Sequence, residues 1–93
     1  MNFQTTFTAN GNSDSGNAQS TTAAYCIHSL GTPTPATGVQ VSLQMRIGDT
    51  WTQIGTTLTG VTRNAVDVPV GIPLRLNIIA STYGSGVVAG AAF

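Results

Sequence analysis

Cys26 and His28 are the one thiol and the one imidazole of this sequence, and they stand two residues apart. In an extended strand that spacing puts both side chains on the same face. A thiol beside an imidazole is part of a nucleophilic site, which also needs a third group to orient the imidazole. Acid–base chemistry draws on carboxylates, lysines and histidines with tuned pKa values. Here there is no Glu, no Lys, three Asp and this single His. Asp14 and Asp49 fall in turn-like segments, where an Asp side chain caps its own backbone. Asp67 falls on the polar face of a predicted strand, where pairing with an Arg across the sheet is the ordinary arrangement. Cys26 between Tyr25 and Ile27 reads as a buried structural thiol, and His28 as a core or interface histidine. Zinc wants three or four ligands, and only these two candidates are close in sequence. The expectation is no catalytic residue, no cofactor-binding residue and no metal ligand.

The aromatic residues raise a different chemistry. Trp51 or Tyr83 can serve as a stacking platform for a sugar, because an aromatic face suits the apolar face of a carbohydrate. The ordinary reading of Trp51, at the start of a predicted strand, is a core residue. The eleven glycines are dispersed among turns and form no phosphate-binding loop. Gly84, Gly86 and Gly90 read instead as places of close backbone approach or as a flexible tail. No Asn-x-Ser/Thr sequon occurs.

The elements that must position these residues are strands. The dominant periodicity is two, as expected of strands with one buried face. Val39, Val41, Leu43, Met45 and Ile47 alternate with Gln40, Ser42, Gln44 and Arg46, which predicts a strand in a sheet with one wet side. Gly48-Asp49-Thr50 then reverses the chain, and residues 51–58, carrying Trp51 and Ile54, complete a hairpin. Further strands are predicted over 61–70, over 74–81 with Leu74, Leu76 and Ile78 on one face, and over 87–93. Phe3, Thr5 and Phe7 share a face of an initial strand closed by the turn dipeptide Asn10-Gly11. Residues 12–16 read as polar loop. Residues 19–30 read as a strand, with a one-turn helix over 21–24 as the alternative. Residues 31–38, with Pro33 and Pro35, read as extended loop.

About seven short strands near ten residues apart predict an all-β domain, a small antiparallel β-sandwich over residues 1–93; the alternative is a partly open β-barrel. The core should draw on Val39, Val41, Leu43, Met45, Ile47, Trp51, Ile54, Leu74, Leu76 and Ile78. The terminal strands, apolar and without charged gatekeepers, invite pairing if left at a sheet edge. At least one of them is therefore expected to be covered by a neighbouring subunit or a surrounding protein lattice; burial of both ends within the chain is the alternative.

Composition bounds the partners. Ninety-three residues make one domain of marginal size, to which association adds stability. A hydrophobic fraction of 41% is compatible with a packed core. The unusual feature is charge: three Arg and three Asp cancel to zero. Phosphate neutralisation takes clustered Lys and Arg, so nucleic acid is not an expected partner. An anionic membrane surface is disfavoured on the same ground, and no apolar run approaches the roughly 20 residues that span a bilayer. No charged n-region with an apolar stretch opens the chain, so a signal peptide is not expected. With a single cysteine no intrachain disulfide forms. A chain with so little charge lacks the self-repulsion that keeps surfaces apart, so association is expected.

Several segments carry a resemblance. Gly38-Val39-Gln40-Val41-Ser42-Leu43-Gln44, Gly48-Asp49-Thr50-Trp51-Thr52-Gln53-Ile54-Gly55, Val68-Pro69-Val70-Gly71 and Leu74-Arg75-Leu76, with the opening Thr8-Ala9-Asn10-Gly11, resemble small β-sandwich proteins of tailed-phage virions, of the head-decoration and head-fibre type. The resemblance covers roughly half of the chain. The turn before Trp51 is shorter than the Asp-Gly-Gly turn of that group, and residues 19–35 lie outside the resemblance. It implies a virion structural protein on the capsid surface, made in the host cytoplasm. Its implied partners are itself, as a homo-oligomer with a trimer preferred, and the major capsid protein or another virion protein. A carbohydrate- or receptor-binding module of a phage fibre, using Trp51 or Tyr83, is the alternative. A small hydrolase using Cys26 and His28 is the third reading.

Overall fold

The alternation of apolar and polar residues is realised as extended strands throughout the computed structural model, which describes residues 1–93 and contains no helix. In chain order these are β1 (Asn2–Phe7), β2 (Gly11–Asn12), β3 (Gly16–Asn17), β4 (Thr22–Ser29), β5 (Gln40–Ile47), β6 (Thr50–Leu58), β7 (Arg63–Asp67), β8 (Pro73–Ile79) and β9 (Val87–Ala92). Seven of them are five to nine residues long, and β2 and β3 have two residues each. One sheet has the order β1-β9-β4-β7 and the other β2-β8-β5-β6, with β3 also paired to β8. Every pairing is antiparallel. The domain is a β-sandwich rather than the partly open barrel.

The inner faces supply the core. Val41 and Leu43 of β5 and Leu74, Leu76 and Ile78 of β8 are fully buried in one sheet. Ala23, Tyr25 and Ile27 of β4 and Val87, Ala89 and Ala91 of β9 are buried in the other. Together with Phe7, Val39, Leu58 and Phe93 they form one cluster. Tyr25 is the largest fully buried side chain, and burial of its ring requires a partner for its hydroxyl. That hydroxyl donates to the Thr56 carbonyl and accepts from Asn64 Nδ2 at 3.1 Å. It thereby joins β4, β6 and β7 where the two sheets meet.

Two turn features follow directly from residue type. Gly48 and Asp49 make a two-residue hairpin loop between Ile47 and Thr50, and Gly48 alone has positive φ, at 61°. This is the type II′ pattern, which wants Gly at its first central position. Asn10 acts beyond its own turn: its Oδ1 accepts from the Ala80 amide at 3.0 Å and from the Tyr83 hydroxyl at 2.7 Å. Desolvation raises the Tyr83 pKa above its ordinary value.

The structure corrects several expectations. Ile47 lies on the apolar face of its strand, yet it is 55% exposed. The register explains this, because pairing with β8 stops at Met45–Leu74 and Ile47 has only Thr50 of β6, at the hairpin end, beside it. Trp51 is opposite Arg46 on the outer, polar face and is not a core residue. Residues 12–16, read as loop, lie between and within two short strands that cover the edge of β8. Residues 21–24 form no helical turn. The terminal strands are not both edges: β9 lies between β1 and β4, with register from Asn2–Ala92 to Phe7–Val87 on one side. Phe3 and Phe93 pack edge to face, with centroids 6.1 Å apart, so this apolar tail is covered within the chain.

Candidate functional site

Cys26 sits between two buried neighbours, but strand alternation turns it the other way. Tyr25 and Ile27 are buried on the inner face, whereas Cys26 is half-buried and His28 is exposed on the outer face of the four-stranded sheet. The expected buried thiol is therefore a surface thiol at the middle of a sheet. His28 is placed by a β-bulge: Ile27 pairs with Ala89 and Ser29 with Val88, which leaves His28 as the extra residue. A bulge of this kind re-aims a side chain. The ring leans back over the strand, and Cys26 Sγ lies 3.2 Å from His28 Nε2.

Gly90 makes room for the imidazole. It pairs with Cys26 on one side and Gln4 on the other. A Cβ at residue 90 would lie 2.5 Å from the Phe3 carbonyl oxygen and 3.3 Å from His28 Nε2. Arg63 lies directly across from Cys26 on β7. Cys26, His28, Arg63, Gly90 and the flanking alanines line an open concavity of about 520 Å³. A second hollow of about 380 Å³ adjoins it and shares Cys26, His28 and Arg63, with Val61 at its rim. Val61 is 64% exposed.

This arrangement is a thiol hydrogen-bonded to an imidazole, with a guanidinium in the next strand. The third member of a nucleophilic site would be an acceptor on the other ring nitrogen of His28, and Nδ1 has no hydrogen-bond partner. The nearest carboxylate on this face by register is Asp67, at the far end of β7 opposite Thr22. Because both side chains point outward, Cys26→Ser and His28→Ala are each expected to stay within about 1 kcal/mol of the parent in denaturant unfolding. A larger loss would make the pair part of the packing.

The other outer face is dressed differently. The Arg75 guanidinium lies 4.2 Å above the Trp51 ring, and Arg75 Nε donates to Gln44 Oε1 at 2.8 Å. Sequence reasoning missed this stack. The signal for it was present, since Arg75 alternates with Leu74 and Leu76 and so must face outward beside Gln44. Tyr83, the other aromatic candidate, is half-buried and held by Asn10, on a different part of the molecule. Asp49 pairs with Arg46 at 3.8 Å, with both side chains well exposed. Asp67 makes no ion pair with an Arg across the sheet; that expectation fails because the residue opposite it is Thr22. Asp14 makes no side-chain bond, and its carbonyl accepts from Ser13 Oγ at 3.0 Å.

Comparison of the chain with family models, with curated proteins and with solved structures finds no match.

Proposed function

We propose that this β-sandwich is a structural protein of a virion surface, of the capsid-decoration or head-fibre kind. It acts by packing as a homo-oligomer and against the major capsid protein or another virion protein. The observation that carries the reading is the contrast between the two outer faces. The β5–β6–β8 face presents Gln40, Gln44, Arg46, Gln53, Arg75 and Asn77, polar side chains suited to water, with Ile79 and the Trp51–Arg75 stack among them. The four-stranded face carries smaller side chains: Ala24, Ala65, Ala92, Gly90 and Cys26 lie among Gln4, Thr6, His28, Arg63 and Asp67, a flatter surface for another chain to approach. Near-zero charge and the resemblance in the hairpin and in β8 support the same reading. The mechanism is linkage: a protein that binds only the assembled particle stabilises it by mass action, with no bond made or broken.

Light scattering after size exclusion, followed by incubation of the protein with purified particles, tests this. The expected result is a homo-oligomer that sediments with capsids. A strictly monomeric protein that never associates with particles overturns the proposal.

The outward position of Trp51 favours a second reading, a carbohydrate- or receptor-binding module. One ring face is covered by Arg75, and the ring is otherwise half-exposed. Quenching of Trp51 fluorescence by host-surface glycans, lost in Trp51→Ala, is the result this reading requires.

A further inference from the structure

Three strands build the surroundings of the Cys26 thiol. The bulge at His28 turns the ring back over β4, so that Nε2 lies 3.2 Å from Sγ. Gly90 of β9 leaves the ring its space, since a Cβ there would stand 3.3 Å from Nε2. Arg63 lies opposite Cys26 on β7, and it takes no part in the chain's single ion pair, between Arg46 and Asp49. Two hollows, of about 520 Å³ and 380 Å³, meet at Cys26, His28 and Arg63. A nucleophile, a base within hydrogen-bond reach of it and an unpaired cation therefore share one open surface.

The chemistry that suits this trio is narrow. Acyl transfer needs an orienting group on Nδ1 and donors for an oxyanion, and Nδ1 has no hydrogen-bond partner. A metal ion would find only two ligands and would stand beside the Arg63 charge. Exchange with a disulfide needs neither, because its charge passes from sulfur to sulfur. Independently of the packing reading above, we infer that Cys26 is a modification site for small disulfides that carry carboxylates. His28 is the base, and Arg63 receives the carboxylate.

With the ring proton on Nδ1, Nε2 takes the proton from Sγ. The thiolate attacks one sulfur of the disulfide, an Sγ–S bond forms, and the old S–S bond breaks. The leaving thiolate takes the proton from Nε2. Cys26 is oxidised to a mixed disulfide, and the departing half is reduced to a free thiol. The two halves extend from the attacked sulfur in different directions, and each hollow offers room for one. Directly opposed residues of an antiparallel pair have Cβ atoms about 5 Å apart, so the long Arg63 side chain reaches a carboxylate on either half. Cys26 is the chain's only cysteine, so no second thiol resolves the product. The adduct persists until an outside thiol removes it, and it adds anionic bulk to the four-stranded face.

Mass spectrometry of acid-quenched time points tests this with two probes, the anionic oxidised glutathione and the cationic cystamine. The expected result is one glutathionyl group per chain, at Cys26, and none on Cys26→Ser. His28→Ala and His28→Gln should each slow the reaction with both probes at least ~10-fold. Arg63→Gln should slow oxidised glutathione at least ~3-fold and leave cystamine unslowed, a difference that added salt reduces. These side chains all face outward, so the thermal transition of each variant should stay in place. A His28 variant that reacts as fast as the parent overturns the proposal, as does an Arg63→Gln variant that slows both probes equally. A parent chain that forms no adduct overturns it too. Particle binding enters none of these readouts, so the packing reading stands or falls separately.

Discussion

Leu43→Ala is expected to lower the free energy of unfolding by about 2–5 kcal/mol, read from the denaturant midpoint at unchanged slope. Leu43 is fully buried at the middle of β5, the strand that has neighbours on both sides. It pairs with Ile54 of β6 and Leu76 of β8, and its side chain meets the opposite sheet. Truncation removes the transfer energy of the lost methyl groups and leaves a cavity that surrounding strands, held by ladders on both sides, close only in part. A chain of this length has about 5–14 kcal/mol of stability to lose, so the variant should be visibly destabilised. An unshifted midpoint would put Leu43 outside the core and break the register of β5.

Deletion of residues 89–93 is expected to abolish cooperative folding. These residues form most of β9, the strand that joins β1 to β4. Removing them strips backbone partners from both neighbours at once and takes Ala89, Ala91 and Phe93 out of the core. Phe3 loses its edge-to-face partner as well. The sequence alone pointed elsewhere, to a terminal strand covered by a neighbouring chain. The difference is topological: a strand inserted between two others is covered by its own chain. A truncated protein that keeps a sharp thermal transition by circular dichroism would contradict this placement.

What was legible in the sequence was the local period and the turn chemistry. The β5–β6 hairpin, its Gly48-Asp49 turn and the inward set Val41, Leu43, Leu74, Leu76 and Ile78 all follow from alternation and stand as expected. What failed did so where alternation was not carried through. Trp51 and Ile54 are three residues apart, so a regular strand cannot put both inside. Ile54 pairs with the buried Leu43, and Trp51 is left to the outer face, where Arg75 receives it. Ile47 has the right parity but lies beyond the end of the covering strand, a fact set by register and invisible to periodicity. Strand order was likewise invisible, and with it the position of β9.

The candidate site was half legible. The spacing of Cys26 and His28 correctly put them on one face, but which face depends on what lies beneath Tyr25 and Ile27. The bulge that brings Nε2 to 3.2 Å from the thiol is a property of pairing with β9. Gly90, the residue that admits the ring, is 62 positions further along the chain than His28. Arg63 joins the pair only through the β4–β7 register.

The meeting of residues 1 and 93 has a mechanical consequence. The Met1 amino group donates to the Phe93 carbonyl, and the Phe93 amide donates back to Met1 at 2.8 Å. The two residues lie at the same end of an antiparallel pair, so tension applied between them runs across the ladder rather than along it. Rungs then open one after another, from Asn2–Ala92 towards Phe7–Val87, as a zip does, and none shares its load with the next. A sandwich strung by these two points yields at low force. The same sandwich pressed through its broad faces loads all rungs and the whole interior together. Load on this domain is therefore carried better through its faces than through its two ends.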